Sequence, residues 1–166
     1  MRPTITILAL FLCSLVGASE TITLKVIPTF HTPLIIEIKE AENGGTISVT
    51  RYAGKGGYEW GSIDIKYEKK LDQLDLKIIR EKLDEISFWK MPEKTDVIGL
   101  DGSVWMLTVK EEKREHTVKR WTPQSDTEER KLEGFVAFGL YLSDICGIHP
   151  IYGNETKSEP GAGGNG

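Results

Sequence analysis

The sequence predicts an α+β fold. It consists of a single antiparallel sheet of about six strands, in the order β-β-β-β-α-β-β-α, with two helices packed on one face. Three observations lead to this prediction. Apolar and polar residues alternate in four segments of the first half, which is the period of a half-buried strand. Two later segments carry apolar residues at helical spacing. Another pair of alternating segments lies between those two helices.

The four segments of the first half predict four consecutive strands. TITLKVI, LIIEIK, TISVTRY and SIDIKYE begin at residues 21, 34, 46 and 62. Their alternate residues are apolar, and in a strand such residues share one face. The Asn43-Gly44 pair between the second and third segments favours a tight hairpin turn. We therefore expect an antiparallel meander with one face open to water.

The first helix is predicted in LDQLDLKIIREKLDEISFW, residues 71–89. Asp72 is the expected N-cap, and Asp75, three residues later, can complete a capping box. Leu71 and Leu76 can form the hydrophobic staple around this cap. Pro92 ends the segment, because the residue before a proline avoids the helical conformation.

The second helix is predicted in DTEERKLEGFVAFGLYLSDIC, residues 126–146. Glu128 and Glu129 are expected near its amino end, where the helix dipole favours negative charge. Its buried face is predicted to contain Leu132, Val136, Gly139, Leu142 and Cys146, with Phe135 beside them.

Between the helices, GLDGSVWMLTVKEEKREHTVKRWTP at residues 99–123 predicts a hairpin. With 111–114 as its loop, Lys110 pairs with Glu115, and Trp105 lies opposite Arg120. One face then has the greater apolar mass and should meet the helices. Its residues are Trp105, Leu107, Val109, His116, Val118 and Arg120.

Two hypotheses remain open for this hairpin. It is either a core hairpin, with Arg120 across Trp105 and with Arg120 and His116 reaching water at the rim, or an exposed patch that binds a partner. The candidate binding residues are Asp101, Trp105, His116, Arg120 and Trp121.

No catalytic residue, cofactor or metal site is predicted. The three histidines lack a paired spacing, and no CxxC motif occurs. Gly54, Gly56 and Gly57 do not match a phosphate-binding loop, because Lys55 is followed by glycine rather than by Ser or Thr. They are expected to form a flexible hairpin loop. Cys146 is expected to be a buried small hydrophobe rather than a nucleophile.

The two ends of the sequence have compositions unlike the middle. Residues 1–18, with Arg2, an apolar run and Val16-Gly17-Ala18, predict a cleaved secretory signal. Residues 19–152 are predicted to form a single α+β domain, and the Gly-rich residues 153–166 a disordered tail. Cleavage would leave Cys146 as the one cysteine of the mature chain, which excludes an internal disulfide.

The net charge of the chain argues against one class of partner but selects none. The net charge is −4, from 21 basic and 25 acidic residues; losing Arg2 with the signal makes it 20 − 25 = −5. This charge argues against a general nucleic-acid binder.

No membrane span is expected after signal cleavage, because the apolar run of the signal is too short to be a transmembrane helix.

Several motifs resemble those of a family of uncharacterised exported bacterial proteins, a domain of unknown function. They are FWKMP, GLDGSVWML and HTVKRWTP, which follow the patterns FWxxP, GLDGxxW and HxVxRWxP, and a closing amphipathic helix. The resemblance covers about residues 34–148. It implies a bacterial envelope setting and supports the domain, but it implies no activity and no catalytic residue.

The function expected from the sequence is therefore that of a non-enzymatic exported domain, periplasmic or secreted. It would bind an unknown protein or envelope component, and an inhibitor or immunity-type role suits its compact acidic chain. The alternative is a small secreted hydrolase that uses His116 with Asp101 or another nearby carboxylate.

Overall fold

A computed structural model of the chain describes residues 20–94 and 99–148. The predicted signal peptide, the predicted tail and residues 19, 95–98 and 149–152 of the predicted domain lie outside the described residues. The signal and the tail therefore remain predictions.

Six strands form one sheet, and both helices follow in the predicted order. The strands are β1 Thr21–Pro28, β2 Leu34–Ala41, β3 Gly44–Tyr52, β4 Ile63–Leu71, β5 Ser103–Glu111 and β6 Arg114–Trp121. The helices are α1 Gln73–Glu85 and α2 Glu133–Cys146, with a short 3-10 helix at Phe88–Lys90. The order across the sheet is β4-β3-β2-β1-β5-β6, and every neighbouring pair is antiparallel. The α+β prediction is confirmed, including the meander of the first four strands.

The core lies on one face of the sheet, beneath the helices. Alternate residues of the strands point there, as the apolar period predicts. Their buried side chains include Ile22, Leu24, Val26, Ile36, Ile38, Ile47, Val49, Leu107, Val109 and Val118, and the helices add Leu76, Ile79, Leu83, Phe135, Phe138 and Leu142.

Helix α1 begins with the predicted capping box. The Asp72 carboxylate accepts a hydrogen bond from the backbone N–H of Asp75 at 2.9 Å, and the Asp75 carboxylate accepts one from the Asp72 N–H at 3.1 Å. The helix ends at Glu85, earlier than the sequence predicts, and Ser87 adopts a left-handed conformation with φ 52°. The FWKMP segment therefore leaves the helix axis and runs along the edge strand β6, where it contacts His116 and Arg120.

Helix α2 begins at Glu133, so the predicted start at residue 126 is wrong. Asp126 and Lys131 have φ values of 53° and 54°, which interrupt a right-handed helix. The Arg130 guanidinium holds this connection by donating to the carbonyl oxygens of Trp121 and Thr122, both at 2.8 Å. Glu128 and Glu129 consequently lie before the helix rather than in its first turn.

The close approach of α2 to the sheet depends on a glycine. The ring of Trp105 lies against Gly139, where a Cβ atom would come within 2.5 Å of the ring. The predicted buried face is confirmed at Gly139, Leu142 and Cys146, and Phe135 beside them is also buried. Leu132 is buried but precedes the helix, and Val136 is only half-buried, so its predicted place on the buried face is wrong. Phe138 and Ser143 are also buried, although the prediction omitted them.

The hairpin has the predicted register with a shorter loop. Lys110 pairs with Glu115 and Trp105 with Arg120, as expected, and Glu111 also pairs with Arg114. The loop is therefore Glu112-Lys113. Because the predicted and observed loops both have an even number of residues, the division of side chains between the two faces is unchanged.

Candidate functional site

The structure divides the five predicted binding residues between three locations. Trp105 is 0% exposed and Arg120 2% exposed, so both lie in the core beneath α2. His116 is half-buried on the same face. Asp101 and Trp121 lie at the end of the sheet where β5 begins and β6 ends. A partner that contacts the surface of the folded domain cannot reach Trp105 or Arg120, so the hypothesis of one exposed patch is wrong.

Arg120 is a core residue held by backbone carbonyl groups. Its guanidinium donates to the carbonyl oxygens of Pro92 and Lys119, both at 2.8 Å. Its Cζ atom lies 5.9 Å from the centroid of the Phe135 ring. Arg120 lies across from Trp105 as expected, but its expected position at the rim is wrong, since the 88–94 segment supplies acceptors that let the head group remain inside. Burial, and then the nearby charge of Arg130, lower the pKa of Arg120.

His116 also pairs with the FWKMP segment. Its Nε2 atom lies 2.9 Å from the carbonyl oxygen of Met91. The ring packs against Phe88 and Trp89, with centroids 5.2 and 6.2 Å away. The residues of the FWxxP and HxVxRWxP patterns thus contact one another, and these contacts stabilise the fold.

Asp101 and His116 lie at opposite ends of the hairpin. His116 pairs with Val109, six residues along β5 from Ser103, whereas Asp101 precedes Ser103. At about 3.3 Å per residue, the strand between Ser103 and Val109 alone spans about 20 Å. A direct pair of Asp101 and His116, the first form of the predicted hydrolase site, is therefore excluded.

The end of the sheet that contains Asp101 also exposes large apolar side chains. We call this surface the aromatic end; it consists of Phe30, Tyr52, Tyr58, Trp60, Ile63 and Leu100. The rings of Phe30 and Tyr58 lie 6.0 Å apart, and those of Tyr52 and Trp60 5.0 Å apart. Tyr58 is 69% exposed and Leu100 97%. Most exposed large apolar side chains among the described residues are here, with Leu74 and Leu140 on the helices as the exceptions.

The loop that presents Tyr58 is tightly packed. The backbone N–H groups of Gly56 and Gly57 donate to the carbonyl oxygens of His31 and Thr29 at 3.0 and 3.1 Å. A Cβ atom on Gly54 would overlap the backbone of Glu59 and Trp60. The expectation of a flexible hairpin loop is therefore wrong, because these glycines permit close backbone contacts.

A second cluster occupies the opposite end of the sheet. Glu40, Glu20 and Glu111 lie side by side at the ends of β2, β1 and β5, facing the helices; we call them the carboxylate row. The Arg80 guanidinium of α1 contacts Glu20 at 3.3 Å and also contacts Glu40. Arg114 binds Glu111 through two hydrogen bonds of 2.6 and 2.9 Å. The row borders an open cavity of about 360 Å³, whose other lining residues are Glu112 and Lys113.

The sequence analysis predicted neither the aromatic end nor the carboxylate row, although the sequence contains a pattern that points to each. In RYAGKGGYEW, the glycines separate aromatic residues that a structured loop brings to the surface. In the carboxylate row, each glutamate lies two residues from an inward-facing apolar residue of its strand and so points to the same face of the sheet. The pairs are Glu20 with Ile22, Glu40 with Ile38, and Glu111 with Val109.

Within residues 20–94 and 99–148, no three His, Cys, Asp or Glu side chains are arranged to hold a metal ion. In the same ranges, no helix has the length and apolar character needed to cross a membrane.

Cys146 is a buried free thiol on α2. Burial raises its pKa to about 11, against a weaker opposite effect of Lys69. A thiol with so high a pKa is a poor nucleophile at neutral pH.

No protein-family model matches the chain, and no curated protein matches it. The resemblance to exported bacterial proteins therefore remains a prediction made from the three motifs.

Proposed function

We propose that the chain is a non-enzymatic exported domain, periplasmic or secreted, that binds a protein or envelope component through its aromatic end. The observation that carries this proposal is the concentration of exposed Phe30, Tyr58, Ile63 and Leu100 at one end of the sheet. Exposed apolar groups lose contact with water when a partner covers them, which favours binding.

The rigidity of the loop supports the same function. The hydrogen bonds of Gly56 and Gly57, and the bond of 3.2 Å from the Trp60 indole to the Gly56 carbonyl oxygen, hold the loop in one conformation. A preorganised loop loses little conformational entropy on binding, so more of the contact energy contributes to affinity. Aromatic side chains are common among the residues that dominate such interfaces.

The surroundings of His116 give no support to the hydrolase alternative. Its Nε2 atom faces the Met91 carbonyl oxygen, and Phe88 and Trp89 pack against its ring. The contacts that the imidazole makes are therefore structural.

Capture of a partner from an envelope extract tests the proposed surface. The mature protein and a Phe30→Ala/Tyr58→Ala variant are immobilised, and bound proteins are identified by mass spectrometry. Leu74→Ala is the matched control, because it removes another exposed apolar side chain from a different part of the domain. We expect the double variant to lose the partner and Leu74→Ala to retain it, with all three proteins unfolding at similar temperatures.

Equal capture by the wild type and the folded double variant would contradict the proposed surface. Export has a separate test, since intact mass determines whether the secreted chain begins at Ser19.

A further inference from the structure

We infer that a second copy of this chain binds along the outer edge of β4, so that two six-stranded sheets join into one. The same strand of each copy would pair with its equivalent in the antiparallel direction, about a twofold axis perpendicular to the sheet. This contact goes beyond the proposed function, because it does not require the aromatic side chains to bind anything.

The two outermost strands of the sheet, β4 and β6, differ in what covers their edges. At β6, the Lys119 N–H donates to the Glu93 carbonyl oxygen at 2.7 Å, so the 88–94 segment runs along that edge. At β4, the backbone groups of residues 63–70 bond only to β3 within the described part of the chain. The outer N–H and C=O groups of such a strand are available to an added strand.

The side chains of β4 are as accessible as its edge. Leu71 is the one buried residue of the nine in this strand. Lys66 and Glu68 are both exposed, and on β3 they lie opposite the uncharged Thr50 and Ser48. Among residues 20–94 and 99–148, neither of the two forms an ion pair. The charges of β4 therefore have no counterpart in its own sheet.

A second copy supplies that counterpart in one particular register. When the twofold axis passes through Tyr67, Lys66 of each copy lies opposite Glu68 of the other. Because the two residues are an even number of positions apart, their side chains point to the same face of the joined sheet. Asp64 and Lys70 fall opposite each other in the same way, although Asp64 also binds Arg51 of its own chain. No like charges face each other in this register.

The neighbouring registers are unfavourable. An axis through Lys66 would place that residue opposite itself and Asp64 opposite Glu68. An axis through Glu68 would place two glutamates together and Lys66 opposite Lys70. Like charges directly opposite each other destabilise a strand pair. The axis through Tyr67 also pairs the whole strand, Ile63–Leu71, so it gives the largest number of backbone hydrogen bonds.

The dimer should be weak and sensitive to salt. One pair of edge strands buries less area than the roughly 1,600 Å² of a standard protein interface. Its ion pairs are exposed, so each contributes little and is screened at high ionic strength. We therefore expect the monomer and the dimer to exchange in a concentration-dependent equilibrium.

Sedimentation of the secreted protein from about 5 to about 500 µM tests the inference, because this range covers weak and moderate association. We expect the average mass to rise from that of one chain toward that of two chains. The rise should be smaller in about 1 M salt, where charges are screened within about 3 Å.

Charge reversals make the test specific to the register. Glu68→Lys would place two positive charges opposite each other, and Lys66→Glu two negative charges, so each variant should remain monomeric over the same range. The double variant Lys66→Glu/Glu68→Lys exchanges the signs and should dimerise again. A mixture of the two single variants should also form a dimer, because each provides the charges that the other lacks.

Lys119→Glu is the matched control. It makes the same change of charge at an exposed side chain of β6, on the opposite edge of the sheet, and should dimerise as the wild type does. All variants should unfold at similar temperatures, since the altered side chains are exposed.

A wild-type protein that keeps the mass of one chain at about 500 µM would overturn the inference. So would a dimer that survives Glu68→Lys, or a folded double variant that stays monomeric. A dimer lost in Phe30→Ala/Tyr58→Ala but kept in Glu68→Lys would assign the contact to the aromatic end instead. Partner capture by Glu68→Lys tests the proposed function separately, because this variant leaves the aromatic end intact.

Discussion

The two ends of the sheet differ in which kind of side chain is exposed and which is buried. At the aromatic end, apolar Phe30, Tyr58 and Leu100 lie in water. At the other end, charged Glu20 and Glu40 are largely buried beside Arg80. Neither arrangement is favourable for folding by itself. Burial of apolar groups lowers the free energy of the folded state, whereas burial of carboxylates raises it by removing their hydration.

The difference lies in how each end is held. Backbone hydrogen bonds and glycine contacts hold the loops of the aromatic end, so its exposed side chains contribute little to the fold. Ion pairs between side chains hold the carboxylate row, so its parts depend on one another. We therefore expect substitutions of the exposed side chains at the aromatic end to affect binding, and substitutions in the row to affect stability.

The largest expected effect comes from the core that the two ends share. Trp105→Ala removes a fully buried ring that packs against Gly139 and Phe135. It should reduce the free energy of unfolding by about 3–5 kcal/mol, because a cavity remains where the ring was. Urea unfolding measures this loss. A cost below about 1 kcal/mol would show that α2 repacks against the sheet.

The next effect separates the carboxylate row from ordinary surface charge. Arg80→Ala leaves Glu20 and Glu40 without their guanidinium partner and should cost about 1–3 kcal/mol, since both carboxylates are largely buried. Lys77→Ala, on the same helix, removes an exposed pair with Glu81 and should cost less than about 0.5 kcal/mol. Equal losses in urea unfolding would show that the carboxylate row contributes no more to stability than an exposed ion pair.

A third substitution tests the rigidity of the aromatic end. Gly54→Ala places a Cβ atom against the backbone of Glu59 and Trp60, which cannot move independently of the loop. We expect a loss of about 1–3 kcal/mol and weaker partner capture. Lys55→Ala in the same loop is the control, because its exposed side chain makes no such contact. Full stability of Gly54→Ala would mean that the loop has other conformations of similar energy.

Local periodicity was sufficient to predict most of the fold. The alternation in TITLKVI and its neighbours predicted the strands, and Asp72 with Asp75 predicted the start of α1. The facing residues of the β5–β6 hairpin followed from the even loop length. Helix α2 was predicted to start too early, because Lys131 gives no signal of a positive φ and Asp126, which tolerates one, is equally suited to the start of a helix.

The candidate site was less predictable, because its contacts join segments distant in the sequence. Arg120 is buried because Pro92, in a segment without periodicity, supplies a carbonyl acceptor. The carboxylate row requires β5 to lie beside β1, and the strand order cannot be read from alternation alone. Residue type and spacing identified the aromatic residues but did not determine which of them face water.

The smallest expected effect concerns the thiol that lies between the two ends. Cys146 is buried, and the carbonyl oxygen of its residue accepts a 2.6 Å hydrogen bond from the Tyr67 hydroxyl of β4. Its pKa, raised to about 11 from 9.0, holds the thiolate fraction about a hundredfold below that of the unfolded chain near neutral pH. Labelling of the native protein by a thiol reagent should therefore be slow and should become fast in urea. Gly54→Ala should destabilise the domain less than Trp105→Ala does, so Cys146 should be labelled less rapidly in Gly54→Ala than in Trp105→Ala, where global unfolding is more frequent. Fast labelling of the native wild type would show that α2 separates from β4 without unfolding, and that the two ends do not share one rigid core.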